Sequence, residues 1–137
     1  MRFMIIVRST PEFEAEPTPV PDEKLFAEMA AYHEALAQAG VLLDAAGLQP
    51  SRMGWRIRYD AQAPKGRTVT DGPYAESKEL IAGYTLIQVR SREEALEWSR
   101  RFPNPVGVGQ PAEIEVRQLF EMDDFPPSNG LARTSTT

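Results

Sequence analysis

Residues Arg2–Arg8 read RFMIIVR, and every position from Phe3 to Val7 is apolar. Ile5, Ile6 and Val7 are β-branched, which suits a strand better than a short helix. Side chains alternate along a strand, so an unbroken apolar run puts greasy groups on both faces, and both faces then need cover. A single layer of helices covers only one of them. Gly83–Val89, GYTLIQV, has the same two-sided character. The fold must therefore supply a helical layer on one side of these strands and something else on the other.

Working outward, the segment Pro11–Pro21 holds four prolines and three glutamates and reads as an extended loop. Asp22 is placed as the N-cap of a helix that runs to about Ala39, with Gly40 as its stop. At 100° per residue Leu25, Met29, Tyr32 and Leu36 fall on one narrow stripe, and Phe26 and His33 share its shoulder. GVLLDAAGLQPS gives a short strand and a turn. GWRIRYD alternates, with Trp55, Ile57 and Tyr59 on one face and Arg56 and Arg58 on the other. DAQAPKG is a loop, and RTVT a short strand. Ser91 and Glu94 then form a capping box for a second helix carrying Ala95, Trp98, Ser99 and Phe102 on one side, ended by Pro103. AEIEVRQLF is a final strand with Ile114 and Val116 on one side. Trp55 and Trp98 are most simply core anchors, and Tyr32, Tyr59 and Tyr84 read as packed rings with one satisfied hydroxyl each.

The order is strand, helix, two or more strands, helix, strand. That is the α+β, ferredoxin-like split βαβ pattern, an antiparallel sheet with two helices on one face. Its other sheet face stays open, and the two-sided strands argue that a second copy covers it. The expected assembly is a homodimer through the sheet faces. Residues 1–120 are expected to form a single domain, and 121–137, EMDDFPPSNGLARTSTT, to be a tail docked on a partner subunit.

Composition bounds the function. A chain of 137 residues with net charge −5 offers no basic stripe for nucleic acid and no attraction to an anionic membrane. The absence of cysteine removes disulfides, thiolate catalysis and cysteine-ligated metal. The first apolar run is too short for a signal-peptide core or a membrane span, so a cytoplasmic protein is expected. No phosphate loop, nucleophile elbow or dinucleotide fingerprint occurs, and no cofactor or metal is expected.

From Thr70 the sequence runs Thr70-Asp71-Gly72-Pro73-Tyr74-Ala75-Glu76-Ser77-Lys78-Glu79, then Gly83-Tyr84 and an apolar strand. This resembles the signature of the DGPF branch of the YCII-related family, close to TDGPFAE-[ST]-KE-x-x-GG-[FY]. The likeness extends to GVLLDAAGLQPS and to EEALEWSRRFP, and covers roughly Met1 to Leu119. Tyr74 replaces the usual phenylalanine and Ala82 the first glycine of the pair. The resemblance implies a dimeric α/β barrel of ferredoxin-like subunits in a bacterial protein. It also implies a His–Asp pair in a cleft as an active site, for which His33 and Asp71 are the candidates. Many members of the DGPF branch are encoded beside sigma factors of the extracytoplasmic-function type. A non-catalytic accessory protein in sigma-factor-linked transcriptional regulation is therefore the alternative.

Asp71 reads two ways. As a turn residue before Gly72 and Pro73 it bonds its own backbone, and as a strand-end carboxylate it lines the cleft between sheet and first helix. His33 is the chain's single histidine, and histidine is the residue type suited to proton transfer near neutrality. Oriented by Asp71, it would be the general base of a cofactor-independent lyase, isomerase or hydrolase acting on a small molecule. Tyr74, Arg56, Gly72 and Pro73 are the candidate ligand-binding residues, for a small aromatic or anionic ligand. Glu76, Lys78 and Glu79 read as a solvated segment, and EMDD as an exposed acidic turn.

Overall fold

The computed structural model describes residues 1–17, 22–61, 66–74 and 79–127. Its strands are β1 (Arg2–Arg8), β2 (Leu42–Gly47), β3 (Trp55–Tyr59), β4 (Arg67–Asp71), β5 (Ile81–Gln88) and β6 (Ile114–Gln118). The helices are α1 (Pro11–Glu14), α2 (Glu23–Gln38) and α3 (Arg92–Arg100). Four strands make one sheet in the order β2-β5-β1-β6, and every neighbouring pair is antiparallel. This is the ferredoxin-like arrangement. β3 and β4 form a separate two-stranded hairpin between β2 and β5.

Register explains the two-sided strands. Ile5 lies between Thr85 and Val116, and Phe3 between Ile87 and Gln118, so these residues share one face with Leu42, which pairs Ile87. On that face sit α2 and α3. Phe3, Ile5, Tyr32, Leu36, Val41, Ile87, Val89 and Ala95 make the buried core, flanked by Trp98, Phe102, Ile114 and Val116. The rings of Tyr32, Trp98 and Phe102 meet edge-on at 5.1 to 6.3 Å and lock the two helices together. Met4, Ile6, Tyr84 and Leu86 point to the other face, where they are half-buried.

The helix ends follow local chemistry. Asp22 accepts from the Leu25 amide at 2.7 Å and caps α2. At the far end Gly40 takes the left-handed φ of 74°, and the amides of Gly40 and Val41 bond Ala37 and Leu36. That pair of bonds is a Schellman closure, which favours glycine at this position. Ser91 caps α3 by accepting from Glu94 at 3.1 Å, while the Glu94 carboxylate takes the amide of Arg90.

Three expectations need correction. The start of the proline-rich segment is not extended: Pro11–Glu14 is one helical turn, with Thr10 accepting from the Phe13 amide at 3.1 Å and Pro11 leading the turn. Trp55 is not a core anchor. It is 65% exposed on the hairpin, whereas Trp98 packs against the core. Tyr59 is likewise exposed, its ring covered on one side by the Arg67 guanidinium at 4.8 Å. The charged residues at 75–78 and the tail from 128 onward lie outside the described residues.

Candidate functional site

Half of the α2 stripe serves the core, and half serves a cleft. Tyr32 and Leu36 are buried, but Leu25, Phe26 and Met29, towards the helix start, line an open cavity of about 760 Å³. This is a usual size for a small-molecule site. Its floor is made by strand residues with almost no side chain: Ala45, Ala46 and Gly47 on β2, and Ala82 and Gly83 on β5. Gly83 pairs with Gly47, and a Cβ on Gly83 would come within 2.9 Å of the Ala46 carbonyl oxygen. The two strands thus leave an apolar trough beneath the helix, rimmed by Thr10, Glu12 and Phe13 around α1.

His33 and Thr85 form a polar pair in its wall. The His33 Nδ1 lies 2.8 Å from the Met29 carbonyl oxygen, and Nε2 lies 2.8 Å from Thr85 Oγ1. A carbonyl oxygen only accepts, so Nδ1 carries the hydrogen and donates it. In the neutral ring Nε2 then accepts from the Thr85 hydroxyl. Tyr32 and Phe102 hold the imidazole edge-on at 5.6 and 6.3 Å. Its orientation is therefore fixed on both edges.

Nearby electrostatics are set by burial and by ion pairs. Burial pushes the Tyr32 phenol up to about 12, with Arg101 opposing, and its hydroxyl donates to the Trp98 carbonyl at 2.7 Å. On the open sheet face Tyr84 donates to Asp44 at 2.8 Å, and that bond raises its phenol. At the start of β1 Arg2 and Glu121 are 3.0 Å apart. Their hydrogen bonding raises Arg2 and holds the Glu121 carboxyl below its usual range.

With the geometry in hand, comparison with known proteins is decisive at family level. The model of the YCII-related domain matches residues 1–123. The chain belongs to the YCII-related family. One relative is an uncharacterized protein of Rhizobium meliloti (strain 1021). It is 30% identical over 106 residues, which is 77% of this chain and 82% of the relative.

The Thr70–Tyr74 motif lies elsewhere. Asp71 ends β4 opposite Trp55, is exposed, and is not among the residues lining the cleft. The structure brings His33 to Thr85 and Met29 rather than to Asp71. Gly72 and Tyr74 are wedged on the short 3-10 turn Ser51–Met53. The Gly72 amide bonds the Gly54 carbonyl at 3.0 Å, and the Tyr74 amide bonds Ser51 Oγ at 3.0 Å. A Cβ on Gly72 would fall 1.8 Å from the Ser51 carbonyl oxygen, so only glycine permits this approach. Pro73 completes the corner as an exposed residue. Ser51 in turn gives its amide and hydroxyl to the Glu14 carboxylate at the end of α1. The corner thereby ties the hairpin to the segment that rims the cleft.

Arg56 lies 3.6 Å over the Tyr74 ring, and the Tyr74 hydroxyl bonds the Thr70 carbonyl at 3.2 Å. These two candidate ligand residues engage each other, away from the cleft lining. Thr85 escaped the sequence reading because it sits 52 positions from His33. The signal for the cleft was the small-residue run Ala45-Ala46-Gly47 opposite Ala82-Gly83, which has meaning only once β2 and β5 are known to pair.

Proposed function

We propose that this YCII-related chain binds a small, mostly apolar aromatic molecule in the cleft under α2, with Thr85 and His33 as its hydrogen-bonding end. The observation that carries this reading is the 2.8 Å contact between His33 Nε2 and Thr85 Oγ1 in the wall of a cavity of about 760 Å³. A ligand hydroxyl that donates to Thr85 Oγ1 completes a relay. As its proton moves to Thr85, the Thr85 proton moves to His33 Nε2, leaving a bound phenolate and an imidazolium. The Met29 carbonyl supports the imidazolium through Nδ1–H. In this reading the general base is His33 with Thr85 as its relay, and Asp71 acts only through the corner.

Two carboxylates, Glu12 and Asp22, stand among the lining residues, with Arg8 on the sheet side. Arg8 is paired with Glu113 and Glu115. The net field therefore favours a neutral phenol over a carboxylate. The same reading takes the functional unit as a homodimer whose open sheet faces meet, supported by Met4, Ile6 and Leu86 on the face away from the helices. An accessory role without chemistry is favoured only by the structural use of the Gly72–Tyr74 corner.

Thermal-shift titration with phenol, benzamide and benzoate tests the reading. Phenol should raise the melting temperature most and benzoate least, and Asp71→Asn should leave the phenol shift unchanged. A flat response to all three, or a shift lost in Asp71→Asn, overturns it.

A further inference from the structure

We propose that the Gly72–Tyr74 corner is a positioning device for the cleft. Acting through Ser51 and Glu14, it holds Phe13 as one wall of the mouth, and so sets ligand affinity without touching the ligand. This role rests on ligand binding in the cleft under α2, and names what controls that site.

The helical turn α1 is too short to hold itself. Its four residues lie far below the length at which helices persist unaided. Nor does it give a side chain to the core. Phe13, half-buried, lines the cleft instead, with Thr10 and Glu12 beside it. Whatever fixes this turn therefore fixes the mouth of the cleft.

Its ties run to the surroundings of the Thr70–Tyr74 motif. At the start, the Ser9 amide donates to the Leu80 carbonyl oxygen at 3.0 Å. At the end, the Ser51 amide donates to the Glu14 carboxylate at 3.0 Å, and the Ser51 hydroxyl donates to it as well. Hydrogen bonds to an ionised acceptor are the stronger kind. Arg52 reaches the carbonyl oxygens of Glu14 and Ala15 at 3.4 and 3.5 Å, and pairs with Glu16 at 3.1 Å. The 3-10 turn Ser51–Met53 is thus the seat on which α1 rests.

The corner decides where that seat lies. The Ser51 hydroxyl gives its proton to Glu14 and accepts the Tyr74 amide at 3.0 Å, so it links motif and helix in both directions. From the other side Gly72 is wedged against the Ser51 backbone, where a Cβ would meet the carbonyl oxygen at 1.8 Å. A shift of the corner passes to Ser51 by backbone contact, and from Ser51 to Glu14 and Phe13 through hydrogen bonds and one short helix. The Asp71 side chain is exposed at the end of β4 and stands outside this chain of contacts.

Ser51→Ala and Glu14→Ala, read by amide exchange and by 4-nitrophenol titration, test this. Exchange at the Phe13 and Glu14 amides should quicken at least about fivefold with no ligand present. Probe affinity should fall about fivefold. The bound-phenolate fraction should stay as in wild type, because His33 and Thr85 are intact. Glu14→Gln keeps an acceptor for Ser51 and should lose less. Gly72→Ala should weaken binding from the far side of Ser51, and Asp71→Asn should not. In a Phe13→Ala background, Ser51→Ala should cost no further affinity, since the wall it sets is gone. Unchanged exchange in Ser51→Ala overturns the proposal. Wild-type affinity in both Ser51→Ala and Glu14→Ala leaves the cleft standing and overturns its control by the corner. Affinity and phenolate fraction lost together put the damage at His33 and Thr85, and overturn it equally. A wild type that binds no probe removes the cleft reading, and this role with it.

Discussion

Gly72→Ala measures how firmly the Gly72–Tyr74 corner is tied to the Ser51 turn. The new Cβ would sit 1.8 Å from the Ser51 carbonyl oxygen and 2.4 Å from its carbon. Both are backbone atoms, so no side chain can swing away, and the corner must retreat by more than about an ångström to reach ordinary contact. That retreat breaks the Gly72–Gly54 and Tyr74–Ser51 hydrogen bonds, each 3.0 Å long. At about 1 kcal/mol apiece they cost roughly 2 kcal/mol. Loss of the Arg56–Tyr74 stack adds about 0.5 kcal/mol. The lower entropy of the unfolded alanine chain returns about the same amount. The net is about 2 kcal/mol. Because the hairpin is a separate sheet, the loss should appear first as local release. Amide exchange at Arg56–Tyr59 should accelerate roughly thirtyfold, while β1 and β5 amides are unchanged. Gly54→Ala is the control, since its Cβ would meet nothing closer than 3.7 Å. If Gly72→Ala exchanges no faster than Gly54→Ala, the wedged corner is not what secures the hairpin.

Other outcomes follow from single contacts. Gly47→Val places a side chain where nothing stands within 4 Å of the new Cβ, on the floor of the cleft. Urea unfolding should change by less than about 1 kcal/mol, whereas the phenol-induced thermal shift should vanish. Tyr32 is pushed up to about 12, above its unfolded value near 10. Its neutral form therefore adds stability that is complete below about pH 10 and is lost as pH rises to about 12. Two pH units correspond to about 3 kcal/mol, and Tyr32→Phe should remove this alkaline slope in pH-dependent urea melts. Glu121 has the opposite sign. Its carboxyl is held low by Arg2, so the pair's contribution is present above the ordinary glutamate range and is lost as pH falls through the lowered value. Glu121→Gln should flatten the acid limb of the same titration.

Much of the fold is legible in the residues, because the determining features are local or periodic. Asp22 and Ser91 mark helix starts by side-chain chemistry and Gly40 a helix end by its left-handed backbone; alternation marks β3 and β6, and apolar residues on both faces mark β1 and β5. The helical turn at Pro11 was concealed by its proline-rich neighbours, although threonine before proline is itself a start signal. Alternation in β3 reported a two-faced strand but not what its apolar face meets. Trp55 is consequently on a free-standing hairpin rather than in the core. The site was legible only in part. His33 stands out as the single histidine on the shoulder of an apolar stripe. Its partner depends on strand register and could not be read from spacing, and the Asp71 expected from the motif belongs to the hairpin instead.

His33 and Thr85 are proposed as the working polar pair of a ligand cleft. Titrating wild type, His33→Gln and Thr85→Val with 4-nitrophenol tests it, because the probe's absorbance separates phenol from phenolate. Wild type should bind saturably and raise the bound phenolate fraction. His33→Gln should fold normally, bind at least about tenfold more weakly and leave the probe protonated, while Thr85→Val should lose the phenolate signal. Equal affinity and equal phenolate fraction in all three proteins would contradict the account.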